Sequence, residues 1–137
     1  MSERRVVEAE IRVRYAETDA MGVVYHANYI VWFEVGRGEY MRQIGGDYTE
    51  YEIQGLFLPV SEVHARFIAP ARYGDLVRVR TWVEEVRSRG LTFAYEVVNV
   101  ENGQTLARGW TKHVCVDGEG RVRTLPRELR EMLKKTR

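Results

Sequence analysis

The run from Asn28 to Ile44 limits the fold more than any other part of the chain. Its apolar residues Ile30, Val31, Phe33, Val35, Tyr40, Met41 and Ile44 nearly encircle a helix, and a helix that is apolar on most sides is buried on most sides. Gly45-Gly46 ends it. Gly36 and Gly38 lie inside it, and each weakens a helix by roughly 1 kcal/mol relative to Ala. Close approach of a sheet to the helix backbone is the gain expected to offset that loss.

Strand patterns supply such a sheet. From Val7 to Tyr15 the odd positions Val7, Ala9, Ile11, Val13 and Tyr15 alternate with Glu8, Glu10, Arg12 and Arg14, the period of a half-buried strand. Four more strands are expected. Leu58 to Ala69 puts Val63, Ala65 and Phe67 on one face, and Leu76 to Val86 groups Val77, Val79, Thr81 and Val83. After the turn Arg87-Ser88-Arg89-Gly90 come Leu91–Val100 and, beyond an Asn102-Gly103 hairpin signal, Thr105 to Val116. Ala107, Gly109 and Thr111 of that last strand are small enough to meet the helix glycines. Asp117 to Gly120 ends it, and Pro126 opens a tail helix with Leu129, Met132 and Leu133 at helical spacing. The expected class is α+β, one antiparallel sheet curled around one long helix.

The 137 residues suit a single domain spanning 1–137, and the hydrophobic share of 45% is enough for one core. A formal charge of +1 gives no overall pull toward nucleic acid or membrane. The single cysteine, Cys115, excludes an intramolecular disulfide and disfavours a Cys-rich metal site. It reads as a small buried hydrophobe. With no apolar run near the roughly 20 residues of a membrane span, the expected location is the cytoplasm.

Chemistry concentrates between Tyr15 and Tyr29, where Asp19 stands in a tight turn just ahead of the buried helix. A carboxylate there can cap the turn, as Asp often does before Gly. It can instead act on a carbonyl polarised by the helix end, where the first amides have no intrahelical partner.

The string Tyr15-x-Glu-Thr-Asp19-x-x-Gly22-x-Val24-Tyr25-His26-x-Asn28-Tyr29, followed by Phe33-Glu34, resembles the hotdog-fold acyl-CoA thioesterases. It is most similar to the 4-hydroxybenzoyl-CoA thioesterase group, which includes Tol-Pal-associated bacterial enzymes. The resemblance implies a sheet wrapped on the helix and protomers paired edge to edge. It also implies dimers that pair again into homotetramers, and an active site at the protomer interface. It makes Asp19 the catalytic carboxylate and the His26 backbone N–H a donor to the thioester oxygen. Coenzyme A is then part of the substrate, with no separate cofactor. Glu34 corresponds to acidic positions used elsewhere in the superfamily, and the glycine-rich Val35 to Gly38 segment bears on the shape of the acyl pocket.

A thioester carbonyl is already electrophilic and its thiolate leaves readily, so hydrolysis needs only an oxyanion site and a carboxylate that attacks or activates water. Asp19 is placed for either role. The His26 side chain can assist Asp19, protonate the leaving sulfur or simply pack. Tyr15 can donate a hydrogen bond into the site or be a core aromatic. His64 and His113 read as structural, and no metal site is expected. The resemblance makes Gly22, Tyr25, Tyr29, Phe33, Val60 and Ser61 the expected substrate contacts, whereas from the residues alone Tyr29, Trp32 and Phe33 read as core or interface. The basic turn Arg87-Ser88-Arg89 suits the phosphates of coenzyme A or is a solvated hairpin tip. Arg66 and Arg72 are lesser phosphate candidates. A non-catalytic acyl-CoA-binding protein, a hotdog hydratase or dehydratase, and a structural cell-envelope partner are the competing readings.

Overall fold

The computed structural model describes residues 4–46 and 48–137. Strand β1 (Val7–Arg12) leads through a 3-10 turn at Tyr15–Glu17 to helix α1 (Ala27–Ile44). Helix α2 (Tyr48–Ile53) and strand β2 (Leu56–Phe57) precede β3 (Val60–Phe67), β4 (Leu76–Val86), β5 (Gly90–Asn99) and β6 (Thr105–Val114). Strand β7 (Val116–Asp117) pairs with β2, and helix α3 (Arg127–Thr136) follows. The expected α+β arrangement holds: five strands form one antiparallel sheet in the order β1-β4-β5-β6-β3, with α1 on its inner face. Helix α2 and strand β2 lie between the expected elements and had no clear periodic signal.

Alternation decides what is inside. Val77, Val79, Thr81 and Val83 of β4 are all fully buried, as are Phe93 and Val97 of β5. Each such aliphatic or aromatic side chain contributes about 1.5–3 kcal/mol when removed from water. Three strands are shorter than the pattern suggests, because backbone donors leave the ladder. Val13 N–H turns to the Asp75 carbonyl, so β1 stops before Tyr15, which ends up 78% exposed rather than in the core. Ile68 and Ala69 both donate to the Leu106 carbonyl and end β3. Cys115 N–H leaves for the Arg89 carbonyl and splits the last strand into β6 and β7. Cys115 itself is buried, as expected.

The sheet does approach the α1 backbone, but at one glycine and from a different strand than expected. A Cβ on Gly36 would collide with the Thr81 hydroxyl and come within 2.8 Å of Val79 Cγ1, both on β4. Gly38 would meet only Arg42 Nη1, at 3.9 Å. The small residue of β6 serves another neighbour, since a Cβ on Gly109 would strike the Phe33 ring at 2.8 Å. Gly36→Ala should therefore lower stability by about 2 kcal/mol, overpacking outweighing the gain in helix propensity. Gly38→Ala should raise it by up to about 1 kcal/mol. Urea midpoints of the two variants check the opposite signs.

The reading of α1 as buried nearly all round is corrected. Tyr29, Trp32, Phe33, Gly36, Tyr40 and Met41 face the sheet, whereas Ile30, Val31 and Val35 stay exposed. At the sheet edge, Val63 and Phe67 of β3 are each 46% exposed although they point to the inner face. One chain thus leaves an apolar helix face and an apolar edge strand uncovered.

Candidate active site

The Asp19 loop folds back on itself as a short ladder. Tyr25 N–H donates to the Glu17 carbonyl (2.9 Å), Thr18 bridges Val24, and Asp19 N–H donates to the Val23 carbonyl (2.8 Å). Gly22, at φ +79°, makes the turn possible and donates to the Asp19 carbonyl. Asp19 Oδ1 accepts the Met21 N–H at 2.8 Å, so the carboxylate does cap its turn. The other oxygen, Oδ2, has no partner among the described residues.

This ladder delivers the chain to the mouth of α1. Asn28 N–H donates to the Tyr25 carbonyl and Tyr29 N–H to the His26 carbonyl. The His26 and Ala27 amides have no protein acceptor among the described residues, which leaves two N–H dipoles at the positive end of the helix. Beside them lies a groove of about 300 Å³ lined by Val24, His26, Tyr29 and the Phe67–Pro70 segment. The His26 ring sits 4.5 Å from Tyr25 and 5.9 Å from Phe67. Tyr29 packs on Phe67, and its hydroxyl accepts the Ala71 N–H. Burial pushes the Tyr29 phenol above its usual value, and the Asp75 charge acts in the same direction.

Glu17 pins the loop to the helix, a role the sequence reading missed. It is only 4% exposed. Its Oε1 accepts the Arg14 N–H and its Oε2 accepts the Trp32 indole N–H, both at 2.8 Å. Its backbone carbonyl also takes the Asn28 side-chain amide. Burial alone would raise its pKa, but the hydrogen bonds from the Arg14 backbone, Trp32 and the Arg14 side chain outweigh burial and hold it below the usual range. A glutamate beside a later tryptophan leaves no local pattern, so only tertiary pairing reveals it.

Val60, Ser61 and the basic hairpin lie at the other end of the sheet. Strand β3 begins at Val60, opposite His113, and ends at Phe67 by the helix mouth. Seven steps of about 3.3 Å separate these ends by roughly 23 Å. Ser61 donates to the Lys112 carbonyl, and the hairpin Arg87 to Gly90 lies at this far end, where Gly90 pairs with Val114. Arg87 is already engaged by Glu85, Thr92 and the Leu91 carbonyl, so it braces the hairpin, whereas the Ser88 and Arg89 side chains are exposed. Tyr15 stacks edge-on against Tyr73 at 5.9 Å. Phe33 is fully buried against Tyr95 at 4.3 Å. Arg66 is on the outer sheet face and Arg72 N–H binds Asp75.

At the far end a cavity of about 630 Å³ opens between α1, α2 and the β2–β7 pair, with Glu34, Arg37 and Leu58 in its wall. Behind it runs a directed hydrogen-bond chain. His113 Nδ1 must donate to the Leu58 carbonyl, so its Nε2 accepts from Thr111, which accepts from Tyr95. The Arg37 guanidinium stands against the Tyr95 hydroxyl. Burial, helped by the Arg37 and Arg87 charges, pushes His113 down to about 4 despite the Leu58 bond. It is a neutral structural histidine, whereas His64 stacks on Trp110 on the outer face.

A sheet wrapped on one helix, with a carboxylate turn at a helix mouth that retains free amides, defines a hotdog-fold protein with the elements for acyl transfer. Comparison with known proteins agrees. The sequence profile of the Thioesterase-like superfamily matches residues 13–134, and the chain belongs to that family. YneP of Bacillus subtilis, provisionally named an acyl-CoA thioesterase, is 40% identical over 83% of this chain and 82% of its own length. The acyl-CoA thioesterase YbgC of Haemophilus influenzae is 36% identical over 88% of each chain. The crystal structure of the DHNA-CoA thioesterase from Staphylococcus aureus superposes with a TM-score of 0.91 at 35% identity, over 95% of this chain and 89% of that one.

Proposed function

We propose that this protein hydrolyses acyl-CoA thioesters to a free acid and coenzyme A, with Asp19 as nucleophile or general base. The observation that carries this reading is the pair of unengaged amides, His26 and Ala27, at the mouth of α1 beside the Asp19 turn. They would take the developing oxyanion, each such donor being worth roughly 100- to 1,000-fold in rate. Asp19 Oδ2 would attack the carbonyl carbon or draw a proton from water, while Oδ1 stays tied to Met21. The His26 side chain, at the groove, would assist the leaving sulfur. The CoA portion is substrate, and the chemistry asks for no further cofactor. The acyl-CoA thioesterases among the relatives support this class. Among the described residues no helix is long and apolar enough to cross a membrane, and a one-cysteine domain acting on CoA thioesters fits the cytoplasm.

The working unit is a homodimer, because one chain holds the expected site residues at two ends roughly 23 Å apart. Pairing β3 antiparallel with β3 of a second copy would bring the partner's Val60–Ser61 end, its far-end cavity and its hairpin to the first chain's helix mouth. The same pairing would satisfy the free edge of β3 and cover Val63, Phe67 and the exposed face of α1. The outer face of the sheet offers a seat for a second dimer, where Trp82, Ala94 and Trp110 share one cross-strand row.

A thiol-reactive dye should report CoA release from a panel of aliphatic and aromatic acyl-CoA substrates, with at least one turned over. No release from any member defeats the proposal. Val63→Lys, which places a charge on the uncovered edge, should give a monomer by analytical ultracentrifugation and lose most activity. A fully active monomer would refute the shared site.

A further inference from the structure

The far-end cavity holds a buried charge that its own chain leaves unmatched. Arg37 Nη1 is buried without a hydrogen-bond partner, and no ion pair among the described residues involves this guanidinium. Leaving such a donor unpaired is costly, more so when it carries a charge. The rear of the group is braced. Tyr95 spends its hydrogen on Thr111, so the phenol oxygen beside Arg37 is an acceptor, with the neutral His113 behind it. The front faces the cavity, where Glu34 stands on the same helix, Glu52 on α2 and Asp117 on β7. Glu34 and Glu52 are exposed, and Asp117 is already paired with Arg123 at 2.8 Å. Ile30, Glu34 and Arg37 recur at helical spacing, so Arg37 borders the face of α1 that one chain leaves uncovered.

The opposite orphan is Asp19 Oδ2, at the mouth of α1. In one chain the two stay apart, because Arg37 lies about 15 Å along the helix from Ala27 at its mouth. Antiparallel pairing of β3 with β3 of a second copy runs the two α1 helices in opposite directions. That carries Arg37 of each copy toward the Asp19 turn of the other. We propose that Arg37 completes the site in trans, its free Nη1 pairing with Asp19 Oδ2 of a second copy. The inference rests on the proposed reaction and its dimer. Arg37 is then a positioning residue, which aims the carboxylate and favours its charged form without touching the thioester. Its planar fork can hold Tyr95 and the carboxylate from one plane. A carboxylate oxygen has two lone pairs, so Oδ2 keeps one for the carbonyl carbon or for water.

Variants and mixed dimers of the full chain test this. Arg37→Gln should lower kcat about 10- to 100-fold with KM nearly unchanged. It should also move the acid limb of kcat/KM up by about one pH unit, because the carboxylate loses a neighbour that favours its charge. Arg37→Lys keeps the charge and should hold that limb near its wild-type position. Arg42→Gln, which removes a cation of the same helix outside the cavity, should change neither. Arg37→Met keeps the aliphatic stem and serves if the Gln variant does not fold. A dimer with Asp19→Asn in one chain and Arg37→Gln in the other, isolated through two different tags, should show about half of the wild-type rate. One of its two sites then keeps both native groups. Both changes in one chain beside a wild-type partner spoil both sites and should leave little activity. A contact readout needs no turnover. With Asp19→Cys in one chain and Arg37→Cys in the other, a short bismaleimide should join the two into a covalent dimer, the native Cys115 being buried. A wild type that hydrolyses no thioester rejects the proposed reaction, and the cross-link alone then decides the contact. The reverse pattern in the mixed dimers, an unmoved acid limb in Arg37→Gln, or no cross-link overturns the inference.

Discussion

Asp19→Asn should leave the fold unchanged and lower kcat for acyl-CoA hydrolysis by roughly 100- to 10,000-fold, the span of a lost general base or nucleophile. The substitution is conservative where structure is concerned. Asparagine keeps an oxygen that can accept the Met21 N–H, now held by Oδ1 at 2.8 Å, and the ladder from Glu17 to Tyr25 is backbone-made. It removes the charge from the second oxygen, the one with no internal partner. A purely structural Asp19 predicts the reverse pattern, near-normal rates from the amide. The informative measurement is therefore kcat beside the thermal midpoint. A midpoint within a degree or two of wild type with a collapsed kcat assigns the carboxylate to chemistry. Full activity removes Asp19 from the reaction, whatever the rest of the site does. KM should move little, because the proposed substrate contacts, at the helix mouth and at the far end of a second copy, are untouched.

How much of this was legible follows from the range of the forces involved. The period-two runs of β4 and the small Gly36 could be read because they obey local rules, and the structure buries Val77, Val79, Thr81 and Val83 together. The partner of Gly36 could not be read. Choosing Thr81 over Thr111 depends on sheet order β1-β4-β5-β6-β3, which is set by long-range pairing. The same limit explains the misjudged α1. Ile30, Val31 and Val35 carry the signature of burial, but none of the described residues covers them. At the site, the Asp19 turn and the start of α1 are contiguous in sequence and were found through the motif. Glu17 stood inside that motif without a role, because its partner Trp32 lies fifteen residues on.

Glu17 is where stability and chemistry meet, and its removal should have the largest effect on the folded state. Glu17→Ala strands the buried indole N–H of Trp32 and takes the acceptor from the part-buried Arg14 N–H. A buried donor left unpaired costs about 1–3 kcal/mol, so a loss of about 3 kcal/mol is expected. Activity should fall as well, because Glu17 joins the Asp19 turn to the first turn of α1. Glu17→Gln keeps the shape and one acceptor and should cost less, about 1–2 kcal/mol. Acid separates the two effects. The Glu17 carboxyl titrates below its ordinary 4.5 in the folded protein, so the unfolded chain binds the proton first. The carboxylate's contribution is complete above about pH 4.5 and fades as pH falls through the lower folded value. Urea unfolding of wild type and Glu17→Gln at pH 7 and at pH 3.5 should show the gap between them narrowing in acid. A gap that stays constant, or an Ala variant as stable as wild type, would mean that the hydrogen bonds to Trp32 and Arg14 do not hold the Asp19 turn in place.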